Sequence, residues 1–333
     1  MSPSSLSPHR RIVAVTLLVP ALVALALWAF AWPAARTAPR DLPLGVAGPT
    51  AATAPVEQRL ESREGAFDLH HYADEAAARE AVEDREVYGA VVVTAQGPKL
   101  LTASAASPVV AQLLQQAVTH QASASGSEVT TVDVAPAAEG DPRGAVLNTS
   151  VLPLALAGIG AGTAVTLLGL RGARAVAALA GSAALVGAVA AALAQSWLDA
   201  VPGNWWTVAG TFALAALAMG AAVAGLSALI GRAGIALGGF VIMLLGNPFS
   251  GASSAPEMLP EPAGAIGQWL PPGAGVSLLR SVSFFDGAAA AGPALTLTWW
   301  AALGLGAVLL GRAMKERAGN AEPAAEPGPA PAG

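Results

Sequence analysis

The sequence predicts an α-helical polytopic membrane protein with six transmembrane helices, an extracytoplasmic α/β insert between helices 1 and 2, and a helical hairpin before helix 6. Three observations carry this. Of 333 residues, 54% are hydrophobic and 12% charged, with a mean hydropathy of +0.56, whereas a soluble domain carries about 25% charge. The apolar residues gather in runs near the ~20 needed to cross ~30 Å of hydrocarbon. One stretch, 41–144, breaks that pattern and holds most of the acids.

The first run, Ile12 to Ala31, follows Arg10 and Arg11 and ends near Trp28 and Trp32. It predicts a membrane helix over 12–33, after a cytoplasmic N-terminus of residues 1–11. Ala29-Phe30-Ala31 has the small-residue spacing of a cleavage site. The apolar core exceeds the about 7–15 residues of a signal peptide, however, which favours an uncleaved anchor.

Within 41–144 the pattern alternates. Leu42–Ala47, Phe67–Tyr72, Val87–Val93, Lys99–Ala103 and Glu128–Val134 read as strands; Pro55–Glu64, Glu75–Glu86 and Pro108–Gln121 read as helices, with Asp74 as an N-cap. That order predicts a small α/β domain. Ser123 to Ser127 reads as a flexible connector.

The remaining chain, 149–311, holds five apolar runs: Thr149–Leu170, Ala175–Trp197, Trp205–Ile230, Ile235–Leu245 and Pro293–Leu310. The fourth of these spans only if it continues past Asn247-Pro248 to Ala252. Residues 318–333 are Pro, Ala, Glu and Gly in the main and predict a disordered cytoplasmic tail.

Lys and Arg mark the cytoplasmic side of short loops. With the N-terminus inside, Arg10, Arg11, Arg171, Arg174, Arg232, Arg312, Lys315 and Arg317 all fall there, while the opposite short loop carries Asp199 and no basic residue. Both termini are therefore expected in the cytoplasm and the protein in the plasma membrane, with the lipid bilayer as its first partner.

Composition excludes several chemistries. With no cysteine there is no disulfide, thiolate metal site or cysteine nucleophile. A net charge of −5 gives no basic surface for nucleic acid. The two lysines, Lys99 and Lys315, lie outside any G-x-x-x-x-G-K-[ST] pattern, so no P-loop is present. His70 and His71 are neighbours on a strand and point to opposite faces, which disfavours a shared metal. No span centre carries an acid, base or histidine of the kind an ion-coupled carrier uses. No enzyme activity, cofactor or metal is expected.

Two features remain. Gly158 and Gly162, and again Gly234 and Gly238, have the G-x-x-x-G spacing that lets helix backbones approach closely. The segment 247–287 is apolar yet rich in Pro and Gly, and backbone that enters a membrane must be covered by protein or line a cavity. A hairpin of two short helices, Met258–Trp269 and Gly273–Phe284, satisfies that condition; a loop on the outer surface is the alternative. Within this hairpin, placed at 253–285, the candidate gate residues are Met258, Pro260, Trp269, Pro271, Pro272 and Arg280.

The order of parts resembles the type-2 ABC exporter permeases, and within them the phage-infection-protein-like (YhgE/Pip) branch. The residues that carry the likeness are Leu42-Pro43-Leu44-Gly45-Val46-Ala47 after the first span, the helix-then-strand segment from Asp74 to Val93, and the run from Met258-Leu259-Pro260 through Leu270-Pro271-Pro272 to Leu279-Arg280. The resemblance implies a permease-like subunit for export or envelope transport, a homodimer, and a separate ATPase subunit as energy source. The inner loop Arg171-Gly172-Ala173-Arg174 offers such an ATPase little surface. The competing expectation is therefore a non-transporting envelope receptor or scaffold that works through the insert.

Overall fold

The computed structural model describes residues 8–95, 97–125 and 128–320. Residues 1–7, the end of the predicted connector at 126–127 and most of the predicted tail, 321–333, lie outside them. The first helix, α1, runs Pro8–Ala35 and leads into a five-stranded sheet. Its strands are β1 (Leu42–Ala47), β2 (Phe67–Tyr72), β3 (Gly89–Thr94), β4 (Gly97–Thr102) and β5 (Thr130–Asp133), in the order β2-β1-β3-β4-β5.

The connections explain the strand directions. Helix α2 (Thr50–Glu61) crosses from β1 to the parallel β2, and α3 (Glu75–Glu83) returns to β3, parallel to β1 on its other side. A tight turn then makes β4 antiparallel to β3, and α4 (Pro108–Ser125) carries the chain to β5, parallel to β4. Asp74 caps α3 by accepting from the Ala77 amide at 2.9 Å. Helix α4 is longer than its apolar pattern predicts: Ser123–Ser125 remain helical, and the Ser123 hydroxyl donates back to the Thr119 carbonyl at 2.9 Å.

The core of this domain is Leu42, Leu44, Val91, Leu100, Val110 and Leu114, and it also takes in Ala255 and Met258 from the far end of the chain. A second cluster joins Ala81, Val82, Val87 and Ala103 to Phe285. The α/β domain is thus completed by residues that flank the hairpin.

The membrane domain is built around α7 (Trp205–Ile230), flanked by α5 (Ala145–Leu167), α6 (Ala173–Ala191, continuing through a wider turn to Trp197), α8 (Arg232–Phe240) and α11 (Ala291–Asn320). The helical backbone of Ala318–Asn320 corrects the predicted tail at its start. Small residues set the spacing. A Cβ on Gly158 would sit 2.7 Å from the Met219 Cβ, and one on Gly162 would sit 2.5 Å from the Gly220 carbonyl. On another flank, Gly234 faces the Leu226 backbone and Gly238 faces Val223. All four predicted glycines pack against α7, where close backbone contact replaces the hydrophobic drive that is missing between helices in lipid.

Five helices among the described residues are long and apolar enough to cross a membrane: Ile12–Ala35, Ala145–Leu167, Ala173–Trp197, Trp205–Ile230 and Ala291–Gly311. The expected sixth is corrected. That helix covers only Arg232–Gly246, ~22 Å at 1.5 Å per residue, and does not continue to Ala252. Its last turn widens, with the Asn247 amide on the Ile242 carbonyl, and Pro248 has no amide to extend the ladder. The chain goes on as buried irregular backbone through Phe249, Ser250, Gly251 and Ala252, the form that non-helical backbone takes at membrane depth.

From there a 3₁₀ turn, Pro256–Met258, leads to α9 (Ala263–Trp269) and α10 (Pro271–Phe284). Helix α10 packs on α7, α11 and α5. A Cβ on Gly275 would touch Ala215 of α7, ten residues and ~15 Å in from that helix's start. The Trp269 carbonyl accepts from the Trp300 indole at 2.8 Å, ~13 Å along α11. The hairpin tip therefore reaches about half a membrane thickness into the bundle, beside the end of the short α8 segment, where Gly246 faces Pro272.

Candidate functional site

Where the α/β domain meets the hairpin, polar groups are collected in an otherwise apolar protein. Helix α3 ends at Asp84, and Arg85 follows with φ of 62°. This left-handed position usually falls to glycine, because a side chain there costs about 1–2 kcal/mol. Its effect is to turn the Arg85 side chain toward the membrane domain. The guanidinium donates to the Ser277 carbonyl at 3.0 Å and to the Ser281 hydroxyl, and lies 5.3 Å from the centroid of the Phe285 ring.

Three residues further on, the Tyr88 hydroxyl donates to Glu257 Oε2 at 2.8 Å. Burial, and then the neighbouring Glu257 carboxylate, push the Tyr88 phenol well above its ordinary range, so it stays a protonated donor. Burial lowers the pKa of Arg85, opposed by Tyr88 and Glu257. Arg280, 4% exposed, donates to the Ala252 carbonyl at 2.6 Å. Ser277 donates to Gln268 Oε1 at 2.6 Å, and Gln268 in turn donates to the Ser250 carbonyl. The linker after α1 is tied to the same place: the Ala38 amide bonds to the Met258 carbonyl and the Arg40 amide to the Glu257 carbonyl, at 3.0 and 2.9 Å.

Of these groups Arg85, Tyr88, Glu257, Gln268, Ser277 and Arg280 border a cavity of about 690 Å³ between the α/β domain, the hairpin and the start of α11. Its polar end is Arg85, Tyr88, Glu257 and Arg280, with Glu86 and Gln268; its apolar end is Trp269, Leu295, Trp299 and Trp300. Trp269 and Trp299 are 73% and 67% exposed, so this end opens on the outside of the bundle. Among the described residues no group of three or more acids and histidines could hold a metal. His70 instead lies beside Asp68, and His71 beside Glu57.

The six candidate gate residues have separate fates. Arg280 and Trp269 line the cavity. Pro271 and Pro272 open α10 and are buried. Met258 belongs to the core of the α/β domain, and the carbonyl of the buried Pro260 accepts from the Ala263 amide at the turn into α9. Arg85, Tyr88 and Glu257 were not singled out by sequence reasoning. Arg85 and Ser277 are separated by 192 positions, and Tyr88 and Glu257 by 169. The one local signal was an Arg at the place after a helix where Gly is the common residue.

Comparison with known proteins agrees with this architecture. The family described as ABC-2 family transporter protein matches residues 10–137, which take in α1 and the α/β domain. The match covers less than half of the chain; over that part the chain is similar to a type-2 ABC permease, as its sequence suggests, and the phage-infection-protein-like branch is not separated out. The five long apolar helices support a multi-pass membrane protein. No curated protein and no solved structure matches the chain.

Proposed function

We propose that this chain is the permease subunit of an exporter, energised by a separate ATPase, and that the cavity under the α/β domain is where cargo is held. The observation that carries the reading is the hairpin. It enters the bundle to about half its depth, is bolted to the α/β domain through Arg85 and Glu257, and forms one wall of a cavity whose other wall is a spanning helix. A hairpin so held can move with the domain above it and change access to the cavity.

In this reading both termini are cytoplasmic, the α/β domain is extracytoplasmic in the plasma membrane, and two copies pair. Arg171 in the short α5–α6 connection and Arg174 in the first turn of α6 support that orientation. Affinity purification from crosslinked native membranes is the test, scored for a co-purifying nucleotide-binding subunit. Stoichiometric recovery is expected. Reproducible absence, with an envelope protein in its place, would overturn the permease reading in favour of a receptor or scaffold. One feature favours that second reading: the α5–α6 connection is only residues 168–172, a small grip for an ATPase.

A further inference from the structure

Arg85 and Arg280 border the same cavity, yet neither belongs to any ion pair within 4.0 Å among the described residues. A guanidinium carries five N–H donors. The bonds made by Arg280 amount to one, to a backbone carbonyl, and those of Arg85 to a carbonyl and a serine hydroxyl. The neighbouring acids do not pair with them directly: Glu257, which favours the charged form of both arginines from beyond 4.0 Å, takes the Tyr88 hydroxyl, and Glu86 takes the Tyr72 hydroxyl at 3.4 Å. Arg280 is buried and Arg85 half-buried, with Glu257 as a shared counter-charge beyond 4.0 Å, so two positive groups are desolvated against one carboxylate. Their place at the closed end of a cavity is what an anionic ligand would repay.

The other end of the cavity says where the ligand comes from. Leu295, Trp299 and Trp269 are exposed on the outside of the bundle, the first two on the membrane-length helix α11. A soluble anion has no use for that wall. A volume of about 690 Å³ lies within the ~300–1,000 Å³ of ligand-sized sites, enough for a headgroup and the first part of an acyl chain.

We propose that this cavity binds a membrane amphiphile by its phosphate or carboxylate head, which sits on Arg85 and Arg280 while its chain leaves the protein past Trp269, Leu295 and Trp299. This deepens the permease reading and rests on it only for what becomes of the bound molecule. The exposed tryptophans give the lateral exit a rigid apolar lip, and their indoles suit the interface between headgroups and hydrocarbon.

The experiment uses the full chain in detergent, equilibrated with phosphatidylglycerol mixed micelles, with retained lipid counted by native mass spectrometry. Wild type should hold one lipid per chain that inorganic phosphate does not displace. Arg280→Gln and Arg85→Gly should each weaken retention about tenfold or more, the scale of a lost charge-assisted contact, while both remain monodisperse. Arg85→Gly removes the side chain at a position whose backbone glycine tolerates, so it serves even where Arg280→Gln fails to fold. Unchanged retention in the folded variants would overturn the proposal. So would displacement by inorganic phosphate, which would make this a site for a soluble anion. Because the chain lacks cysteine, Trp299→Cys gives a clean third arm, and crosslinking between two copies through it would show the apolar lip to be covered by protein. Lipid retention without an ATPase partner would uphold the site and sink the permease reading, and the reverse result would do the opposite.

Discussion

Helix α1 and helix α10 reverse the common relation between apolarity and burial. The membrane-length window of α1 is only 6% buried, and the helix touches the rest of the protein near one end, through Trp32 against Phe249 and contacts to the last turn of the α8 segment. Helix α10 has three serines and an arginine in fourteen residues, yet eleven of those residues are buried. In water the order would be opposite. In a membrane, the strongly apolar helix is the one lipid can solvate alone, whereas a helix that carries polar groups must find partners inside the protein. Contrast with α7, 61% buried, adds the second half of the lesson: small residues, not large apolar ones, mark a central helix.

Substitutions can break or sharpen this contrast. The largest effect is expected at the α7–α11 contact, where a Cβ on Gly304 would lie 2.3 Å from the Ala221 backbone. Gly304→Val should cost about 3 kcal/mol or more and abolish a monodisperse peak in size-exclusion chromatography. Gly160→Val, where nothing lies within 4 Å, should be silent in the same assay. Tyr88→Phe comes next. It leaves a carboxylate short of a donor and should lower stability by about 1–3 kcal/mol, read as a drop in the thermal midpoint of the solubilised chain. For Arg85 the informative quantity is a difference: Arg85→Ala should be less stable than Arg85→Gly by about 1 kcal/mol, since both lose the guanidinium and only one relieves the left-handed backbone. The smallest effect belongs to α1. Leu17→Ala, at an exposed position, should stay within about 0.5 kcal/mol. A larger loss, or a shift in oligomer size, would mean that this face of α1 is covered in the assembly.

Much of the architecture was legible because it is written in local periods. Apolar runs located α1, α5, α6, α7 and α11, and short strand-like stretches, alternating at Phe67–Tyr72 and continuously apolar at Val87–Val93, located all five strands to within a few residues. The incomplete crossing at Arg232–Gly246 was legible only as an ambiguity, since composition stays apolar through Ala252 while Asn247-Pro248 ends the helix. Most of the cavity was not legible. Beyond its place at a helix end, nothing local sets Arg85 apart from the other charges of the polar stretch 75–86, or Glu257 from any other acid. Their meeting depends on how the sheet docks on the hairpin, which no run of neighbouring residues encodes. Met258 shows the converse. It lies in the hairpin region by sequence but serves the core of a domain assembled from residues between Leu42 and Leu114, far earlier in the chain.

The meeting of α8 and α10 at the hairpin tip has an electrostatic consequence. The carbonyl end of one helical segment, at Gly246, faces the amide end of another, at Pro272, so partial charges of about half a unit and opposite sign are brought together. Pro271 and Pro272 carry no amide hydrogen, and the Ala274 amide already bonds to the Leu270 carbonyl. Few free donors are left there to hold water. Two half-length elements can thus divide one crossing between them and meet at its middle in close contact, with few free amides on the α10 side.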